Sequence, residues 1–351
     1  MDAWAAFEAA RQGCSGGLVG PVAFSNGILA PMGIAAVGDC AVLLAYGDGT
    51  LWIATASTWS RFTSVTLSSD LGVVPLVAAA PDGIWIADGK MTGSLTLPTL
   101  TLARPDQSVA ITLPADSVSV RAIQPISTGL LVALDTADID YVAGGFSDFG
   151  AALLSVTRDG SITMLWSAAG SSITSLVVDG ATMVMVVART TGSDVSVVAN
   201  RGHGWSQIAF PMDGLSVTSV AAHGDTLVAL AQRLTPHDVA DTVVTSISRD
   251  FGRTWTSHET SSNALDPPNL LGFHGDAVLA ATSLNAAAQG LVQLTDAAEW
   301  VPADPIPTPP GAGNVFGGST ILTACGLWIL DTPPDAGNTV LTHLPLAGVG
   351  C

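Results

Sequence analysis

The chain has 351 residues, 48% hydrophobic and 11% charged, which supplies one large core or two medium ones and excludes a disordered chain. Its 29 acidic residues against 11 basic ones give a net charge of −18, which excludes a basic stripe for a nucleic-acid backbone and disfavours anionic membrane surfaces. No apolar run approaches the roughly 20 residues of a bilayer span, so no membrane span is expected.

The acids are 26 Asp and three Glu (Glu8, Glu259 and Glu299), and the only lysine is Lys90. Asp is a turn former and Glu a helix former, so the skew argues for turns over helices. In chain order, residues 1–20 read as a tail whose first 13 residues form a short helix packed outside the body. With no basic n-region and no apolar h-region, they are not a signal peptide. Residues 21–351 read as one domain. It opens with a short strand at residues 21–26.

A recurring unit follows: an apolar strand, a tight turn with Asp or Gly, and a second apolar strand. It covers residues 34–46, 76–88, 122–135, 174–188, 218–231, 271–281 and 320–331. The spacing is about 40 to 55 residues, the range of four-stranded propeller blades. Both strands are apolar almost throughout, as expected for burial on two faces. More variable segments behind each pair read as outer strands, for example residues 50–56 with 60–67 and 243–248 with 254–259. The expected fold is all-β: a seven-bladed β-propeller of four-stranded antiparallel blades. The last unit is one strand short, and residues 21–26 are expected to close the ring there. The Pro-rich stretch 302–313 links blades six and seven. The runner-up is a β-solenoid or a pair of β-sandwiches.

Between the outer strands of blade five lies Ser248-Arg249-Asp250-Phe251-Gly252-Arg253-Thr254-Trp255, which reads S-x-D-x-G-x-T-W. Residues 200–205 keep its Asn/Asp, Gly and Trp positions, Trp59 and Trp300 keep only the Trp, and residues 157–160 form a shortened relative. The motif resembles the Asp-box, or bacterial neuraminidase repeat, of the sialidase-like and sortilin-like propellers. That resemblance implies a structural set of Ser248, Asp250, Gly252, Thr254 and Trp255. Asp250 would cap the hairpin, Gly252 would take a positive φ and Trp255 would bury its ring. The motif faces away from the family's usual active site, so no catalytic role goes to Asp250.

Sialidase chemistry needs three arginines on a carboxylate and a tyrosine nucleophile with a carboxylate partner. The two tyrosines are Tyr46, at the end of an inner strand, and Tyr141, in a loop; neither adjoins a Glu. No catalytic residue is therefore assigned. His223 and His274 occupy the same turn position of two units and read as turn residues, because no Cys or His stands at ligand spacing.

The stretch from Asp135 through Asp138 and Asp140 to Asp148 reads as a loop on the face opposite the Asp-boxes. Two readings stand. One is a solvated acidic loop. The other is a weak calcium site of Asp135, Asp138, Asp140 and Asp148, since hard cations take several oxygens from a flexible segment. Calcium is the one cofactor considered.

Propeller topology places all four cysteines on one face. Cys40 and Cys325 lie in equivalent first turns of adjacent blades, and Cys14 and Cys351 flank the seam. Cys14–Cys351 with Cys40–Cys325 is the favoured pairing; Cys14–Cys40 with Cys325–Cys351 and free thiols are the alternatives. Disulfides imply an oxidising compartment, hence an extracellular or cell-surface protein whose leader has been removed.

The leading function is a non-catalytic, extracytoplasmic binding or assembly propeller docking a protein or glycan on the acidic loop face. The alternatives are a carbohydrate-binding or glycoside-hydrolysing propeller and a structural subunit of a large surface assembly. No nucleic-acid partner is expected.

Overall fold

A computed structural model describes residues 2–12, 22–24, 31–38, 41–46, 48–55, 59–67, 75–92, 95–140, 145–190, 195–210, 215–234, 240–261, 268–284, 288–303, 320–323, 326–331 and 339–345. All four cysteines and Tyr141 lie outside these residues, and with them the expected disulfides.

One helix, α1 (Ala3–Gln12), precedes the strands. A short strand β1 (Val22–Phe24) follows it. The first sheet holds β2 to β5 (Pro31–Val37, Ala41–Tyr46, Leu51–Thr55, Trp59–Arg61). The second holds β6 to β9 (Leu76–Ala80, Gly83–Thr92, Leu95–Ala103, Ser108–Ile111). The third holds β10 to β13 (Ser117–Ile126, Gly129–Asp140, Gly145–Thr157, Ile162–Ala169). The fourth holds β14 to β17 (Ser171–Asp179, Thr182–Arg189, Val195–Asn200, Trp205–Ile208). The fifth holds β18 to β21 (Leu215–His223, Thr226–Leu234, Ala240–Ser248, Thr256–Ser261). The sixth holds β22 to β25 (Asn269–His274, Ala277–Leu284, Ala288–Leu294, Trp300–Pro302). A terminal sheet holds β26 to β28 (Thr320–Leu322, Gly326–Asp331, Thr339–Pro345), with β1 beside β28 in the register Val22↔Leu341 to Phe24↔Thr339.

Every pairing described is antiparallel between strands consecutive in sequence, apart from β1 with β28, because each apolar run is followed by a short turn. Inner strands are the most buried in the first and third sheets. All six residues of β3 are buried, as are Leu130–Asp135 of β11. This is the pattern of strands covered on both faces.

The expectation of one undivided seven-bladed ring is corrected. The chain divides into two compact units. Unit one is residues 1–167 with 308–351, and unit two is residues 168–307. Unit one contains the first three sheets and the terminal sheet; unit two contains the fourth, fifth and sixth. The apolar clusters follow this division. Trp85, Leu100, Leu102, Leu130 and Leu154 share one core in unit one, and Val184, Val186, Val217, Leu227 and Val244 share one in unit two.

The helix is less peripheral than its sequence suggests. Ala3, Trp4, Ala6, Phe7 and Ala10 form its buried face and join the cluster of Leu43, Leu51, Ile53 and Phe62. Trp4 meets Phe7 and Phe62 edge-on, with centroids 5.8 and 4.9 Å apart, and its indole N–H donates to Ser64 Oγ at 3.0 Å.

Candidate functional site

The turn between β20 and β21 is built by its own side chains. The Ser248 hydroxyl donates to Asp250 Oδ1 at 2.9 Å, and the Gly252 N–H donates to Ser248 Oγ at 2.7 Å. The Thr254 N–H and hydroxyl donate to the two Asp250 oxygens at 2.8 and 2.7 Å. These bonds hold the Asp250 carboxyl down at about 2, with the Thr254 N–H the largest cause and its hydroxyl next. Gly252 sits at φ +83°, and a Cβ there would meet Ile208 Cγ2 at 2.2 Å. The Trp255 indole donates to Ala209 O and Gly252 O and packs edge-on against Phe210, tying the fifth sheet to the fourth.

The weaker copies share this geometry. Gly202 (φ +85°) donates to Asn200 Oδ1 at 2.7 Å, and Gly160 (φ +89°) lies beside Asp159, which accepts from the Ser161 N–H. The Trp300 indole donates back to Thr245 Oγ1 on the preceding sheet, as Trp255 does. All five residues of the Ser248–Trp255 set are thus occupied in holding a hairpin.

The acidic segment is not a loop. Gly129–Asp140 and Gly145–Thr157 continue as paired strands, with Asp138 opposite Ser147 and Asp140 opposite Gly145. Thr136, Ile139 and Phe146 are strand formers, and they keep the ladder running where the aspartates suggest a break. A register shift between Thr136 and Asp138 bulges the hairpin, and Asp148 takes φ +50° on the facing strand. Asp135 is buried and bound to the Arg121 guanidinium at 2.5 Å, whereas Asp138, Asp140 and Asp148 are exposed. Among the described residues no group of three or more His, Cys, Asp or Glu side chains is placed to hold a metal ion.

Sequence reasoning missed the aromatic pair on this hairpin. Phe146 and Phe149 are 38% and 44% exposed, with ring centroids 6.4 Å apart. Strand alternation does not reveal them, since residues three apart fall on opposite faces of a regular strand; the register shift between Asp138↔Ser147 and Thr136↔Gly150 breaks that alternation here.

Tyr46 is buried at the end of β3. Burial first, and the Asp48 charge second, push its phenol well above the usual range, so a phenolate nucleophile is disfavoured there. His223 ends β18 at a turn, where its Nδ1 lies 3.5 Å from Asp179 Oδ2 and its ring 5.5 Å from that of Phe273. His274 ends β22 at the equivalent place.

No family model matches the chain, and no curated protein matches it in sequence. Solved structures do. The chain is similar to YCF48 bound to D1 peptide, at 14% identity and a TM-score of 0.57, over 93% of this chain and 99% of that one. It is similar to U3-55K at 13% identity and a TM-score of 0.56, over 94% and 100% of the two chains. It is also similar to an acylaminoacyl peptidase of Pyrococcus horikoshii at 12% identity and a TM-score of 0.56, over 88% of this chain and 50% of that one. Identities this low carry the fold alone. The fold is an all-β β-propeller with four-stranded antiparallel blades.

Proposed function

We propose that the protein is a non-catalytic docking propeller that takes a protein segment on the β11–β12 hairpin. One observation carries this function: two exposed phenylalanines lie among Asp138, Asp140 and Asp148 on strands of 12 and 13 residues, the longest described. Exposed aromatics with two side-chain torsions make contact area at low entropic cost. The surrounding carboxylates match a basic partner and steer its approach. The complementary segment therefore carries Lys or Arg beside an apolar side chain. The structural neighbour solved with a bound peptide supports a peptide-docking role for the fold.

The Ser248–Trp255 turn supports kinship with the Asp-box propellers as a matter of hairpin construction. The glycan-binding alternative has that kinship alone behind it. An extracytoplasmic location is proposed with the docking role, on the even number of cysteines in the sequence. Non-reducing peptide mapping that recovers Cys14–Cys351 supports that location, and free thiols in native material overturn it.

The function is tested by selecting displayed random peptides on the intact protein and titrating the winners against a Phe146→Ser/Phe149→Ser variant. The expected winners combine basic and apolar residues and lose at least tenfold in affinity for the variant, about 1.4 kcal/mol. Undiminished binding to the variant, or turnover of a glycoside panel, contradicts it.

A further inference from the structure

Two successive hairpin turns of unit two enclose a groove of about 560 Å³, the size of a small-ligand or short-peptide site. The β16–β17 turn contributes Arg201, His203 and Trp205, and the β20–β21 turn contributes Arg249, Phe251 and Arg253. Aligned, the turns read Asn-Arg-Gly-His-Gly-Trp from Asn200 and Asp-Phe-Gly-Arg-Thr-Trp from Asp250. The shared positions build the hairpins. Arg201, His203, Phe251 and Arg253 stand at the positions that hairpin construction leaves free. Three of the chain's ten arginines therefore line one groove in a protein of net charge −18.

The three arginines differ. Arg201 binds Asp225 at 2.8 Å and lies over the Phe251 ring, 4.5 Å from its centroid. Arg249 is bound to Asp296 and reaches Thr226 Oγ1 at 3.4 Å. Arg253 is exposed, and its guanidinium has no hydrogen bond or ion pair with a described residue. Phe251 is held at φ +57°, with its N–H donating to Asp225 O at 2.8 Å. A bulky residue is disfavoured in this left-handed region. The strain holds an aromatic face at the groove wall, where glycine would adopt the same backbone freely.

Arg249 is paired with Asp296 and Arg201 with Asp225, and the Asp250 oxygens accept from Thr254, so the Arg253 guanidinium is the lining cation left for a ligand among the described residues. A dianion exceeds that single charge; a monoanion matches it. We infer that this groove binds a singly charged carboxylate borne next to an apolar or aromatic group. Arg253 receives the carboxylate in its planar fork, and Phe251 and Trp205 receive the apolar neighbour. The site is built from residues of unit two alone and does not depend on the acidic hairpin.

Calorimetry on the intact protein tests the inference with four probes. They are acetyl-Ala-Ala-Phe with a free C-terminal carboxylate, acetyl-Ala-Glu-Phe-amide, the neutral acetyl-Ala-Ala-Phe-amide, and phenyl phosphate. Binding of either carboxylate peptide, above both the neutral amide and the phosphate, is expected. The tighter of the two identifies a chain-terminal or a side-chain carboxylate as the source. Arg253→Gln should weaken binding about tenfold or more, and Arg253→Lys should restore part of it. Phe251→Leu, which keeps an apolar side chain packed against the unit-two core, should weaken binding of the carboxylate peptides with little change in melting temperature, which separates a ligand-facing role from a structural one. No heat with either carboxylate peptide overturns the inference. So does equal binding of the neutral amide, tighter binding of phenyl phosphate, or undiminished binding to Arg253→Gln.

Discussion

At the scale of single residues, the Ser248–Trp255 turn makes the sharpest predictions. Asp250 is depressed to about 2 in the folded protein, below the ordinary 3.8, so its carboxylate stabilises the fold above about pH 4. That contribution is lost as the pH falls from there through about 2. Asp250→Asn should therefore lower the melting temperature near neutral pH by about 2–4 °C. The gap between wild type and variant should close by pH 2, as thermal melts across that range would show. Gly252→Ala acts through the backbone instead. It places a side chain at φ +83° and drives Cβ into Ile208, so a loss of about 2 kcal/mol or more is expected, read by denaturant titration. Asp250 and Gly252 were legible in the sequence because local bonding alone selects them. The arginines of the groove were not. Arg201 and Arg253 stand at positions the motif leaves variable, and they meet only when one hairpin packs beside the next.

At the scale of elements, legibility followed periodicity. The apolar runs at residues 76–88 and 218–231 landed on the β6–β7 and β18–β19 hairpins, because strands buried on both faces need no partner information to be read. The far end of the β11–β12 hairpin, residues 135–148, reads as a loop in the sequence because its aspartates look like turn residues. Cross-strand pairing of Ile139 with Phe146 decided otherwise, and pairing is not visible along one strand. The helix was placed correctly in sequence but too far outside. Trp4 and Phe7 lie three residues apart on one face, and what that face covers, Phe62 and Leu51, comes later in the chain. Phe7 is fully buried, so Phe7→Ala should cost about 3–5 kcal/mol. Chemical denaturation would show it. A loss below about 1 kcal/mol would mean that the helix is not part of the core.

At the scale of the whole molecule, the sheets are gathered into two compact units, and repeat counting alone does not reveal this division. Every repeat looks alike in sequence. The charge of −18 belongs to this scale as well. It favours basic partners, and docking should weaken as salt screens it. The most direct measurement of the docking function is hydrogen exchange on the full chain, with and without a selected basic, apolar peptide. Slowed exchange concentrated between residues 136 and 150, diminished by added salt, is the predicted result. Protection that leaves this hairpin unchanged and falls elsewhere would contradict it.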